Sequence, residues 1–233
     1  MSEASGEVKV EARSAGERKN SESGSGSKSS KSSEQGKNKL QVLLQSAVEK
    51  KPFSELFDVS LDHSGAELIG DALLDTLEKR GFALDAFDAV GALTAAAVPM
   101  VTAVTHAAHV RGRELDGFVM DFVYPSIKGP SISGKRVVLL DSWLSEKSYV
   151  QTSSLVTLRN GNELSLDFSV VEHEGAQVVA IASLIGGVSG DADASTIKVI
   201  NPVSGEKCNL PFARAFDEDE LRGNAPSAVK KAS

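Results

Sequence analysis

The sequence predicts an α/β fold over residues 40 to 216, a mostly parallel sheet flanked by helices, carried behind a disordered N-terminal tail. Three observations predict it. From Leu40 onward, apolar runs of strand length alternate with helical periodicity, which is the pattern of a parallel sheet. Hydrophobic residues make up 41 % of the chain and aromatics only 5 %, so the interior is built from Ala, Val, Leu and Ile, a mix suited to strands buried on both faces. Residues 1 to 39 contain no Leu, Ile, Phe, Tyr or Trp, and the stretch SESGSGSKSSKSS cannot offset its ordering entropy by burial. The 233 residues suit one core with extensions, with residues 217 to 233 read as a C-terminal tail.

Each element has a local cause. Leu40, Leu43, Leu44 and Val48 share one helical face, and Pro52 ends that first helix. Ser64 to Lys79 repeats the pattern with Leu68, Ile69, Ala72, Leu73 and Leu77, and Gly81 stops it. AFDAVGAL reads as a short buried strand ending at Gly91, followed by an Ala-rich helix from Pro99 to Val110. Leu115 to Phe122 is a second strand. Lys135 to Leu140, KRVVLL, is the best strand in the chain and ends at Asp141. Gln177 to Ile185 is another apolar strand. Before it, Leu164, Leu166, Phe168, Val170 and Val171 fit an amphipathic helix, although the first three also fit a strand period. TIKVI and KCNLPF flank the turn Asn201 to Gly205, a hairpin expected at a sheet edge.

Charge and cysteine usage exclude several classes. Net charge is −7, and the tail holds eight basic and six acidic side chains, which leaves residues 40 to 233 near −9. A domain so acidic is a poor general binder of nucleic acid. Cys208 is the single cysteine and cannot form an intramolecular disulfide; no Cys/His cluster has ligand spacing, so neither a structural zinc nor an oxidising compartment is expected. The longest apolar stretch, Ala95 to Val104, is interrupted by Pro99 and Thr102 and is too short to span a bilayer. No secretory signal opens the chain, and a cytoplasmic location is expected.

Functional residues of open parallel sheets lie beyond the carboxyl ends of strands, and the segments there carry a family resemblance. VSLDHSGAELIG at Val59 to Gly70, FDAVGALTAAAVPMVTAVTHAAHVRGRELDGFV at Phe87 to Val119, and IKGPSISGKRVVLLD at Ile127 to Asp141 resemble type I phosphoribosyltransferases. GNELSLDFSVVEHEGAQVVAIASLI fits the segment that follows. The blocks are most like orotate phosphoribosyltransferases of the actinobacterial kind and cover about two thirds of the region after the tail, in the family's order. The resemblance implies a Rossmann-like phosphoribosyltransferase fold, a phosphoribosyl diphosphate or nucleotide ligand, Mg²⁺, and a homodimer or a pairing with an active homologue.

Phosphoribosyl transfer needs acids that hold the ribose hydroxyls, a small-residue loop whose N–H groups cradle the 5-phosphate, and cations over the pyrophosphate. By resemblance the ribose motif carries two consecutive acids. Asp141 takes the first position, also the expected metal contact, while Ser142 replaces the second. WLSEKSY, Trp143 to Tyr149, stands where the phosphate cradle is expected, and bulky side chains oppose the close approach that glycine permits. VQTSSLVTLRN then delays the return to Gly161; with the turn Asn160-Gly161-Asn162 it can form an extra hairpin whose second strand contains Leu164 and Leu166. Gly91 and Thr94 match the pyrophosphate loop, whereas Ala92, Ala96 and Val98 replace expected small glycines and an acid. The catalytic loop region reads DFVYPSI from Asp121 to Ile127, with no cation before Lys128, and only PFSELFD occupies the place of the hood over the base.

Bland readings stand beside these. Asp141 also reads as a polar strand end, and the alanines as close packing at a strand-to-helix turn. Glu172, His173 and Glu174 diverge around a helix as a solvated face. His63, His106 and His109 read as surface histidines, and Asp217 to Glu220 as an exposed helix start. The leading expectation is therefore a divergent homologue with impaired catalysis that acts as a ligand-binding or regulatory subunit. The alternative is an active pyrimidine phosphoribosyltransferase in which Lys147 and Arg159 supply replacement contacts, and a third reading is an interaction scaffold without a small ligand.

Overall fold

The computed structural model describes residues 26–50, 56–121, 124–145, 156–159, 163–187 and 195–223. Helix α1 spans Gly26–Lys50 and α3 His63–Lys79, with a one-turn helix α2, Phe57–Ser60, between them. The first helix thus begins upstream of Leu40, and position 39/40 is no element boundary. Its turns from Glu34 to Lys39 are mostly exposed, and burial begins at Leu40, the first residue of the apolar stripe.

Asp62 caps α3 by accepting hydrogen bonds from the Ser64 and Gly65 amides at 2.9 and 3.0 Å. Gly81, at φ +89°, closes it: its N–H donates to the Glu78 carbonyl and that of Phe82 to the Leu77 carbonyl, a Schellman stop. The chain then enters β1, Ala89–Ala92, passes a 3₁₀ turn at Ala95–Ala97, and forms α4, Val98–Val110. Strands β2, Asp116–Asp121, and β3, Ser126–Lys128, pair antiparallel across a short connection.

The centre of the sheet is β4, Arg136–Ser145, beside β7, Gln177–Gly187. Every residue of β4 after Arg136 is buried, as befits a strand covered on both faces. Between them in sequence lie the hairpin β5, Val156–Arg159, with β6, Glu163–Leu166, and the short helix α5, Ser169–His173. Strands β8, Thr196–Ile200, and β9, Lys207–Asp217, lead to the one-turn helix α6, Glu218–Leu221. Among the described residues the strand order is β3-β2-β1-β4-β7-β9-β8-β6-β5. Five of the eight pairings are parallel, so the expected mostly parallel sheet is present.

Two cores form. Helices α1, α3 and α4 cover one face through Leu44, Leu73, Leu77, Met100 and Val104. On the other, Leu164, Leu166, Ile197 and Val199 join Val137, Leu139 and Ile181 in one cluster, so the far strands curl over the sheet and, with α5, take the place of a full helical layer.

Several expectations are corrected. Leu164 and Leu166 lie in strand β6, not in a helix, because their period-2 spacing is satisfied by antiparallel pairing to β5; only Ser169–His173 is helical. The β8–β9 hairpin forms as expected, but not at an edge: β9 pairs with β7 and β8 with β6, and the extra hairpin caps the sheet instead. The segment after Phe216 is not wholly a tail, since α6 docks on the sheet through Leu221 and Glu218, each at most 3 % exposed. Most consequentially, β4 does not end at Asp141. It runs four residues further, with Trp143, Leu144 and Ser145 registered against Ile185, Gly186 and Gly187 of β7.

Candidate functional site

From β1 the chain steps to β2 on one side and later enters β4 on the other, so the strand order reverses between β1 and β4. At such a reversal the loops diverge and leave a crevice at the carboxyl ends. Thr94 follows β1 and Asp141 lies in β4, and the fold brings them together: the Thr94 hydroxyl donates to Asp141 Oδ1 at 2.9 Å. The Ser142 amide donates to the same oxygen at 2.7 Å. Asp141 is only 2 % exposed, and its second oxygen, Oδ2, has no hydrogen-bond partner. Burial pushes its carboxyl up to about 6, against the opposing hydrogen bonds from Thr94 and Ser142. A carboxylate held through one oxygen, with the other buried and without a hydrogen-bond partner, keeps one acceptor for a hydroxyl hydrogen bond or a cation.

Gly91 does not join them. It lies inside β1, and a Cβ there would come within 2.2 Å of the Phe118 ring, so its role is to admit that ring against the strand. Ser142 is buried, its amide spent on Asp141. Lys147 and Gly161 lie outside the described residues, as do the Arg159 side chain and the segment Pro52 to Glu55.

Trp143 does not fill the phosphate cup, contrary to the expectation from its size. Its indole N–H donates to Glu218 Oε2 at 3.2 Å, Arg222 Nε donates to Glu218 Oε1 at 2.9 Å, and the Arg222 guanidinium stands 5.5 Å from the indole ring. Glu218, expected on an exposed helix start, is therefore a buried acceptor. The described start of that segment, Trp143 to Ser145, is strand registered against β7 and not loop.

In the catalytic loop region the Tyr124 amide donates to Asp121 Oδ1 at 3.1 Å, and Lys128 Nζ lies 3.7 Å from Asp121 Oδ2. Lys128, the first cation there, is thus paired at the sheet edge. His63, His106, His109, Glu172, His173 and Glu174 are exposed, as their spacing predicted. Sequence reasoning missed Ser183 and Arg214, each a single polar residue in an otherwise apolar run, and misread Glu218, whose acidic run signals an exposed helix start. Among the described residues no group of three or more His, Cys, Asp or Glu is placed to hold a metal ion, and no helix is long and apolar enough to cross a membrane.

Sheet order together with the meeting of Thr94 and Asp141 defines an open, mostly parallel α/β protein with polar side chains gathered at the reversal between β1 and β4. No family model matches the sequence. Similarity to curated proteins is nevertheless extensive: the chain is 32 % identical over 186 residues to the orotate phosphoribosyltransferase of Streptomyces avermitilis, covering 77 % of this chain and 87 % of that enzyme. It is 30 % identical over 190 residues to the Streptomyces coelicolor enzyme of the same name, with the same coverage of 77 % and 87 %. Among solved structures, Mycobacterium tuberculosis orotate phosphoribosyltransferase in complex with 5-phospho-α-D-ribosyl 1-diphosphate superposes with a TM-score of 0.52 at 23 % identity, over 80 % of this chain and 91 % of that one. A phosphoribosyltransferase from Corynebacterium diphtheriae gives 0.50 at 23 %, over 80 % and 98 %. At that identity the structures speak for the fold. On its sequence, the chain belongs to the orotate phosphoribosyltransferase family.

Proposed function

We propose that the chain is a phosphoribosyltransferase of pyrimidine biosynthesis that binds phosphoribosyl diphosphate at the carboxyl ends of β1 and β4 and transfers its phosphoribosyl group to orotate. The observation that carries this reading is the 32 % identity to an orotate phosphoribosyltransferase over 87 % of its length. It is joined by Thr94 and Asp141 at the sheet reversal. Asp141 acts as a hydroxyl acceptor. With its carboxyl at about 6 it is mostly ionised at neutral pH, and Thr94 and the Ser142 amide hold Oδ1, which leaves Oδ2 as the oxygen to accept from a ligand. The acceptor strengthens as positive charge grows on the sugar ring at the transition state.

Among the described residues, Asp141 is the one that would hold Mg²⁺ at this site. Oδ2 of Asp141 is a hard oxygen without a partner, but a single carboxylate makes no ion site alone. A Mg²⁺ bound through Asp141 Oδ2 would supply charge neutralisation of the leaving diphosphate. Lys147 and Arg159 are the cations proposed to assist it, since Lys128 is paired with Asp121.

One observation favours a second reading, a catalytically impaired homologue that binds ligand and regulates a partner, as a homodimer or beside an active homologue. Strand β4 continues through Ser145, so the described start of the segment where a phosphate cradle is expected is strand and not loop. Pyrophosphate release from phosphoribosyl diphosphate with orotate and Mg²⁺ separates the two. Turnover on the order of 1 s⁻¹ or faster is expected for the enzyme. A ligand-induced rise in melting temperature without pyrophosphate release would replace it with the second reading.

A further inference from the structure

A hollow of about 500 Å³ opens between the exposed turns of α1, the last turn of α3, the end of β9 and α6, and none of its lining residues belongs to β1 or β4. Lys37 of α1 and Lys79 of α3 both line it, with Glu34, Asn38 and Glu220 at its wall and the buried Phe216 of β9 beneath. Lys37 Nζ stands 5.3 Å from the centroid of the Phe216 ring. Among the described residues Lys37 forms no ion pair, whereas Lys128 and Lys135 each face an aspartate. The charged groups around it are Lys79 and Asp75 on α3, Glu220 on α6 and Glu34 one turn back on its own helix. Burial and then the like charge of Lys79 hold the Lys37 amine below the usual lysine range, against the opposing pull of Glu220 and Asp75.

A lysine that is accessible, partly dehydrated and beside a second cation keeps more of its neutral, nucleophilic form at neutral pH than a fully solvated one. Lys79 lines the same hollow and draws anions into it, so a donor activated by a phosphate is favoured over a neutral one. We propose that Lys37 is an acylation site, modified on Nζ by a small acyl phosphate that enters the hollow with its phosphate toward Lys79. The neutral amine attacks the acyl carbon, the N–C bond forms, and the C–O bond to phosphate breaks. The departing phosphate keeps the electron pair and takes up the proton that the amine gives up. The product is an uncharged amide, so the cation over the Phe216 ring is lost and, with it, that contact between α1 and β9. None of these residues has a part in phosphoribosyl transfer.

The test is incubation of the full chain with acetyl phosphate at about pH 7.5, below the ordinary lysine range, followed by peptide mass spectrometry that reads the acetylation rate at every lysine. Lys37 is expected to react about threefold or more faster than the median lysine. Lys79→Gln, a change at an exposed side chain, is expected to keep the wild-type melting temperature and to bring the Lys37 rate down to the median, because it removes both the like charge and the partner of the phosphate. Excess inorganic phosphate, which competes for Lys79, is expected to slow Lys37 and not the other lysines. A Lys37 rate at or below the median would overturn the assignment, and so would a rate that Lys79→Gln leaves unchanged. Where Lys79→Gln melts below wild type, the phosphate competition on the unaltered chain decides instead, and equal slowing of all lysines would overturn the assignment.

Discussion

Replacing Asp141 with Asn probes the site through stability alone. The carboxyl ionises near 3.8 in the unfolded chain and at about 6 in the folded one, because burial disfavours the charge. Well below pH 3.8 both states hold the proton and the residue imposes no penalty. Between pH 3.8 and about 6 the unfolded chain releases the proton first, so stability falls as pH rises, and above that window the loss is complete. About two pKa units correspond to a loss on the order of 3 kcal/mol. Asn keeps the oxygen that accepts from Thr94 and Ser142 but cannot ionise. Any cost of its buried amide group is the same at every pH. Urea unfolding of both proteins from about pH 4 to about pH 8 is the assay, read as the difference in unfolding free energy, since all other titrations cancel. The Asp141→Asn variant should gain on wild type by about 2 kcal/mol between about pH 4 and about pH 7.5, since part of the loss is already present at the lower end. Two curves that run parallel across that range would refute the buried, charge-disfavoured state of Asp141.

The remaining predictions concern packing and polar contacts. Gly91→Ala places a methyl 2.2 Å from the Phe118 ring and should cost about 1–3 kcal/mol of unfolding free energy, with partial recovery when Phe118→Leu is added. Trp143→Phe leaves Glu218 Oε2 without its indole donor and should cost about 1–3 kcal/mol in denaturant melts, with α6 the first element to lose amide protection in hydrogen exchange. Asp88→Ala breaks the contact that Arg136 makes with a carboxyl held down at about 2. Both partners are at least 40 % exposed, so thermal melts should register less than about 1 kcal/mol and still less at high salt.

Sequence pattern reads well where the cause is local. The face of α3, its cap at Asp62 and its stop at Gly81 follow from neighbours within a turn or two, and β1, β2, β4 and β7 appear where apolar runs stand. Thr94 and Asp141, 47 positions apart, are both marked by resemblance, and the structure joins them by a hydrogen bond. Serine at position 183 carries no such mark, because a lone hydroxyl in an apolar strand gives no sign of which residues the neighbouring strands bring beside it.

Composition and periodicity, which act over a few residues, determined that this chain folds as an α/β domain, which faces its helices bury, and where the turns lie. Only the tertiary structure decided that β4 runs on past Asp141, that Trp143 turns to Glu218, and that the β8–β9 hairpin lies inside the sheet while an extra hairpin forms its edge. Strand length, side-chain partners and strand order are set by whichever distant segment pairs alongside, and hydrogen bonds between segments far apart in the chain leave no periodic trace in either one.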